Sequence, residues 1–366
     1  MYDILVFFPD AHKIELLKDP GLIPEVLKKK YKLKTGLVCF KNDLNENILN
    51  SKIYDILIMK QLFNFKLLNE IVFMIKYAKK TKFLMMFHLD IKHHFPIVFL
   101  YKILNPHGKL YLKLDIDLAD IDRIYKKGKI KFFLSSYLLK KYNYVSAEST
   151  KMCDIISELF DIKPLYIQDG TYLNNHIDLE KKENIFLTVG RLGSDQKNTF
   201  FLLNSFIKTI GYHDFKLVCV GSITEELKKY IEEKIKSNTE IKDRIIFTGP
   251  IYNKNVLESY YERSKYFLLP SKWGSFELVI CEAMQFGCYC VVSNLIPSTN
   301  DLFNNKYGSV VPINSEKYWE KEIVKLSKIE LSKEYLYEIS CYINNNFTWN
   351  NVAEKIYNFI INDEKS

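Results

Sequence analysis

The sequence lacks any apolar run approaching the ~18 residues that a membrane-crossing helix needs. It has no low-complexity tract and no short repeat. It also lacks a disulfide pattern. Its seven cysteines are an odd number, and Cys219 and Cys281 lie inside apolar runs, so they read as buried thiols of a reducing compartment. Cys288 and Cys290 stand one residue apart in a strand-like run and should point to opposite faces. No Cys or His pair nearby completes a zinc site. The N-terminus, MYDILVFFPD, is too short and too acidic for a signal peptide. These absences argue against a membrane span, a disulfide scaffold and a zinc module, and a cytoplasmic location is expected. The net charge of +8 is modest and dispersed. It suits an anionic partner such as a nucleotide diphosphate or a membrane surface. No RNA- or DNA-binding signature accompanies it, so no nucleic-acid partner is expected.

What the chain does have is alternation. Its 366 residues, 48% apolar, suffice for two ordinary domains. Strand-length apolar runs fall at Ile4–Phe8, Thr35–Phe40, Tyr54–Met59, Phe83–Phe87, Leu110–Leu114, Tyr144–Ala147 and Leu165–Ile167. Amphipathic stretches such as Leu22–Tyr31 and Met152–Phe160 separate them. A polar segment, Asn174–Asn184, reads as a linker. The alternation then restarts with strands at Ile185–Val189, Lys216–Val220, Ile245–Phe247, Tyr266–Leu269, Tyr289–Ser293 and Ser309–Val311. Helices are expected at Asn198–Thr209, Glu225–Ser237, Asn255–Arg263 and Glu277–Phe286, with a terminal helix over Trp349–Ile361. Such a pattern predicts an α/β chain with two Rossmann-like domains facing across a cleft. The expected division is 1–178, 179–345 and a terminal helical segment, 346–366. Ligands of such sheets bind just beyond the carboxyl ends of the strands.

Two segments carry chemistry. In Thr188–Lys197, TVGRLGSDQK, a strand ends and Gly190 and Arg191 follow. A polar loop then leads to Lys197, where a helix is expected to open. Arg forks onto oxygens, Lys supplies a point charge and a helix end adds backbone donors, which together suit a diphosphate. Two solvated surface cations are the plain alternative. In Phe267–Gly287, FLLPSKWGSFELVICEAMQFG, a loop leads to a helix holding Glu277 and Glu282. Five residues apart, the two carboxylates do not share a helix face. Glu282 lies in an apolar stretch, where a carboxylate is costly unless paired or bound. A ribose with two hydroxyls would suit it, and so would a salt bridge within the core.

The order VGRL…K, then TGPI…YYERSKYFLLPS…F…EAM..G, resembles the C-terminal half of glycosyltransferase family 4, whose members have the GT-B fold. The resemblance is strong from Ile185 to Gly308 and weak elsewhere. The ending FTWNNVAEKIYNFI resembles the family's terminal helix, which crosses back to the first domain. The resemblance implies a retaining enzyme that moves a sugar from a nucleotide diphosphate sugar to a glycan or lipid-linked acceptor, in cell-surface polysaccharide or glycoconjugate synthesis. No cofactor is implied, and the reaction is expected to be metal-independent. Arg191 and Lys197 match the basic pair that holds the donor diphosphate. Gly190 lies beside them, and Thr248, Gly249, Pro250 and Ile251 match the loop beside the base. Ser275 and Phe276 match a turn facing the donor sugar and phosphate. Glu282 matches the second Glu of the family's Glu-x7-Glu motif, which binds the ribose. Gly21, after Asp19–Pro20, resembles the glycine turn of the first domain that meets the phosphates.

The sequence departs from the family in two places. Gly274 stands where the family has its first Glu, a contact to the transferred sugar, and Glu277, at the position of a usual Gly, is the donor-binding residue expected to compensate for it. A non-catalytic GT-B partner subunit of another glycosyltransferase is therefore the alternative reading. The family also often has a His after one N-terminal strand. The matching run here, KLYLKLDID, ends in Leu114–Asp115, so Asp115 is the candidate to act near the acceptor. The DID of Asp115–Asp117 resembles the metal-binding DxD of the other glycosyltransferase fold, but GT-B enzymes use Arg and Lys in place of a metal. His88 follows an earlier strand and reads as a partly buried structural residue. Finally, 122–141 (DRIYKKGKIKFFLSSYLLKK) mixes cations with Phe132, Phe133, Tyr137 and Leu138. It suits an anionic membrane surface, and a peripheral position on the inner face of the plasma membrane is the corresponding expectation. A solvated helix face over a core stripe is the alternative.

Overall fold

The computed structural model of the chain describes residues 1–126, 128–174 and 177–364. Lys127 of the basic segment and Asn175–His176 of the linker lie outside the described residues. The chain divides into two compact units, one made of 1–170 with 349–366, the other of 171–348.

The first unit carries seven strands: β1 (Tyr2–Phe7), β2 (Thr35–Cys39), β3 (Asp55–Ile58), β4 (Thr81–Phe87), β5 (Lys109–Leu114), β6 (Tyr144–Ala147) and β7 (Leu165–Tyr166). They form one parallel sheet in the order β3-β2-β1-β4-β5-β6-β7. Helices cover both faces, so the central strands are apolar throughout. Along β4, Leu84 and Met86 enter one core while Phe83, Met85 and Phe87 enter the other. The helix Trp349–Glu364 belongs to this unit. Its Trp349, Val352, Ala353 and Ile356 are buried in the same core as Leu22 and Leu27 of the helix Asp19–Tyr31. Tyr357 stacks on Tyr31 with ring centroids 3.7 Å apart, and Lys30 pairs with Glu354 at 3.0 Å.

The second unit carries β8 (Glu183–Val189), β9 (Lys216–Val220), β10 (Ile245–Gly249), β11 (Ser264–Leu269), β12 (Tyr289–Ser293) and β13 (Gly308–Val311). Their order is β10-β9-β8-β11-β12-β13, again all parallel. Phe267 and Leu269 of β11 face one core, and Tyr266 and Leu268 the other.

Both sheets are doubly wound. The chain moves outward from β1 through β2 to β3, then returns to place β4 on the other side of β1. In the second unit the same reversal places β11 beside β8. The loops after β1 and β4, and those after β8 and β11, therefore diverge. The gaps they leave at the carboxyl edge are where open α/β sheets bind ligands.

Candidate active site

In the second unit, the two chemistry-bearing segments are the loops after β8 and β11, the neighbours at the reversal. Local geometry locks them together. The Lys272 amide donates to the Gln196 carbonyl at 2.8 Å, and Gln196 Nε2 donates to the Trp273 carbonyl at 3.1 Å. Lys272 also forms an ion pair with Asp195. Arg191 is exposed, and its Nη2 donates to Gln196 Oε1 at 2.6 Å, so the guanidinium is steadied by the same residue that ties the loops. The aliphatic stem of Lys197 crosses Gly190. A Cβ at position 190 would lie 3.2 Å from Lys197 Cε, so any side chain there would push the lysine stem aside by a few tenths of an ångström. The helix expected to begin at Lys197 starts two residues later, at Thr199, because Asn198 takes a left-handed conformation with φ +51°.

Lys197 does not stand alone. Its Nζ lies 2.5 Å from Oε2 of Glu277. Glu277 has φ +62° and ψ +75°, a left-handed conformation that costs a non-glycine residue about 1 kcal/mol. Its other oxygen, Oε1, is buried and has no hydrogen-bond partner. That oxygen sits over Gly274, where a Cβ would come within 2.5 Å of it. Ser275 precedes Phe276, whose ring is 1% exposed and packs near Phe347 with centroids 6.1 Å apart. The Phe276 carbonyl accepts from Ser298 Oγ at 2.9 Å, so the turn is anchored from both side chain and backbone.

Glu282 lies on the helix Leu278–Gln285 and accepts from the buried hydroxyl of Tyr261 at 2.8 Å. Burial raises its carboxyl above the ordinary value, and the Tyr261 hydrogen bond opposes that rise. The core partner is thus a neutral hydroxyl rather than a salt bridge. Thr248 and Gly249 end β10, and Pro250 and Ile251 lead to the helix Lys254–Arg263. They share the carboxyl edge with Gly190 through a backbone chain: Gly190 donates to Val220 at 2.9 Å and Gly221 donates to Gly249 at 3.0 Å. Gly221 is the tightest point. A Cβ there would lie 1.8 Å from the Gly190 carbonyl oxygen, on a backbone with φ +138°.

In the first unit the expectations fare unevenly. Gly21 is not a turn residue. It sits in the first turn of the helix Asp19–Tyr31, its amide donates to Lys18, and a Cβ would meet the Leu16 backbone at 2.4 Å. Its lack of a side chain is explained by that packing. Asp115 follows β5 and His88 follows the neighbouring β4, and the structure brings them together, Nδ1 to Oδ2, at 3.8 Å. The His88 side chain is 50% exposed on a left-handed backbone, so it is not the part-buried residue expected. Asp117 turns away from Asp115: it is buried, and its Oδ1 accepts from the Asp120 amide at 2.9 Å.

One constellation carries no signature in the sequence. Lys113, wholly buried on β5, points its ammonium at Glu148 just after β6, at Asp169 beyond β7 (2.6 Å) and at Asp19 (3.3 Å). The three carboxylates offer oxygens within 4.8 Å of one another, close enough to hold a metal ion, and the Lys113 ammonium is the cation that faces them. Burial pushes Glu148 well above the ordinary carboxyl value, and Asp19 up to about 7. The alternating run KLYLKL gives no sign that Lys113 is wholly buried, beside three acids distant in sequence, while Lys109 on the same face is only part-buried.

The family model for glycosyl transferases group 1 matches residues 173–340. Among curated relatives, the chain is 27% identical over 165 residues to the UDP-Gal:alpha-D-GlcNAc-diphosphoundecaprenol alpha-1,3-galactosyltransferase of Escherichia coli, covering 44% of this chain and 41% of that one. It is 30% identical over 167 residues to an uncharacterized glycosyltransferase of Haemophilus influenzae, covering 42% of this chain and 46% of that one. The chain thus matches less than half the length of each of these relatives. Among solved structures, Anabaena Alr3699/HepE in complex with UDP superimposes with a TM-score of 0.76 at 13% identity, covering 99% of this chain and 100% of that one. Sucrose-phosphate synthase from Thermosynechococcus elongatus gives 0.74 at 14% identity over 98% of each chain. At such identities the likeness shows the fold.

Proposed function

We propose that this chain, whose C-terminal unit carries a group 1 glycosyl transferase domain, is a retaining glycosyltransferase using a nucleotide diphosphate sugar. The observation that carries the reading is the pairing of the Arg191–Lys197 loop with the 272–277 loop at the sheet reversal. Breaking the bond between sugar and phosphate leaves negative charge on the diphosphate. Arg191 and Lys197 are placed to stabilise it, and fixed charges that need no reorganisation are the effective ones. Glu282, steadied by Tyr261, is the acceptor for the ribose hydroxyls. Thr248, Gly249, Pro250 and Ile251 border the base, and Ser275 and Phe276 the sugar and phosphate. No metal takes part in this reading. In a retaining reaction the leaving phosphate takes the acceptor's proton, and Asp115 with His88 is the acceptor-side pair of the first unit.

The acceptor in this reading is a glycan or a lipid-linked sugar, taken at the inner face of the plasma membrane. Two exposed apolar patches of the first unit support a membrane surface. One includes Tyr125, Ile130 and Phe133, within the basic 122–141 segment. The other includes Leu62, Phe63, Phe65 and Ile75. Lys60, Lys66, Lys76, Lys79 and Lys80 are exposed around it, and the sole acid from 60 to 80, Glu70, is buried. Such surfaces gain about 1 kcal/mol per cation on an anionic bilayer. No described helix is long and apolar enough to cross a membrane.

The partner-subunit reading is favoured by Gly274 alone. Release of free sugar from a nucleotide sugar, measured for the chain and for Lys197→Ala, separates the two. Turnover abolished by the substitution supports the enzyme, and equal turnover in both removes the assigned role of Lys197.

A further inference from the structure

Three features converge on one side chain. Glu277 holds a left-handed backbone that a glycine would adopt without strain. Its Oε2 is engaged by Lys197, but Oε1 is buried with no partner. Its carboxylate fills the space beside Gly274 that any side chain there would need. A buried carboxylate oxygen left without a donor is costly, and a native site keeps one when something else supplies the donor. The backbone at Gly274 is not left-handed, so the absent side chain there reflects space rather than conformation.

We propose that Glu277 is the sugar-recognising carboxylate of the donor site, folded back over Gly274, with Oε1 accepting a hydrogen bond from a hydroxyl of the donor hexose. This rests on the donor-site reading above. Lys197 orients the carboxylate through Oε2 and leaves Oε1 as the oxygen for the ligand. Positions 274 and 277 then act as a pair that shares one carboxylate. Moving it to 274 leaves glycine on the left-handed backbone and glutamate on an ordinary one. Both residues suit their new places.

The test is calorimetric titration of the full chain, Glu277→Gly, Gly274→Glu and the double exchange. The probes are UDP, UDP-glucose and UDP-galactose. Lys197 loses its Glu277 partner in Glu277→Gly, so UDP binding is measured for all four proteins and each UDP-hexose affinity is read relative to that of UDP in the same protein. The preferred UDP-hexose should weaken at least about tenfold in each single variant, the size of one charge-assisted hydrogen bond. It should recover to within about threefold of the unchanged protein in the double exchange, because residues sharing one function are not additive. UDP-hexose binding unaffected by Glu277→Gly overturns the inference, and so does a double exchange whose loss is the sum of the single losses. Absence of UDP binding to the unchanged chain has a different meaning: it overturns the donor-site reading first, and the inference with it.

Discussion

Lys113 Nζ lies 2.6 Å from a carboxylate oxygen of Asp169, with the lysine side chain wholly buried. A buried cation survives because Glu148 and Asp19 surround it as well. Removing it leaves the buried Glu148 and the largely buried Asp19 and Asp169 without their cation, a cost of about 3–5 kcal/mol. Lys113→Met should therefore lower stability by that order, measured by urea denaturation. A loss under about 1 kcal/mol would show that the acids are held neutral without it.

The same cluster sets a pH dependence. Burial pushes the Asp19 carboxyl from 3.8 to about 7, with Asp169 and Asp115 adding to the rise and Lys113 opposing it. Between those values the folded protein keeps a proton that the unfolded chain has released. Stability contributed by this group is thus full below pH ~4 and declines as pH rises toward 7, by at most about 1.4 kcal/mol per pH unit. Asp19→Asn should flatten that slope in denaturation curves taken from pH 4 to 7. An unchanged slope would place the titration elsewhere.

Much of this architecture was legible from the residues. Thirteen strand-length runs correspond to the thirteen strands of the described residues, since strands buried on both faces write themselves as apolar runs. The loop that carries Arg191 and Lys197 beyond β8 was legible because a strand end, a glycine and polar residues occur together. Lys113 was not, because its partners lie 35, 56 and 94 positions away and only the sheet brings them to one edge. Gly21 shows a related limit: a glycine required by close packing against Leu16 looks in sequence like one required by a turn. The bond between Glu277 and Lys197 was equally hidden, spanning 80 positions between two loops.

Gly221 tests the stitching of the strand ends in the second unit. A methyl group there meets the Gly190 carbonyl at 1.8 Å on a backbone that disfavours side chains. Gly221→Ala should cost more than about 2 kcal/mol in thermal or urea unfolding. It should also weaken nucleotide binding, because the displaced Gly190 carries Arg191 with it. A neutral outcome would mean that the loops tolerate a shift the packing does not suggest.

Membrane association is testable by flotation. The chain should float with anionic vesicles and not with neutral ones. Phe63→Ser with Phe65→Ser, or neutralising Lys126, Lys127, Lys129 and Lys131, should each reduce the floated fraction. Equal flotation in every variant would remove both patches as the contact.

The central claim is that the loops after β8 and β11 hold a nucleotide diphosphate through Arg191 and Lys197. Calorimetric titration with UDP, GDP and ADP, without metal, tests it most directly. One nucleotide should bind. Arg191→Ala and Lys197→Ala should each weaken it by ~1.5–3 kcal/mol, roughly ten- to a hundredfold. Binding that survives both substitutions unchanged, or no binding of any of the three, would contradict the account.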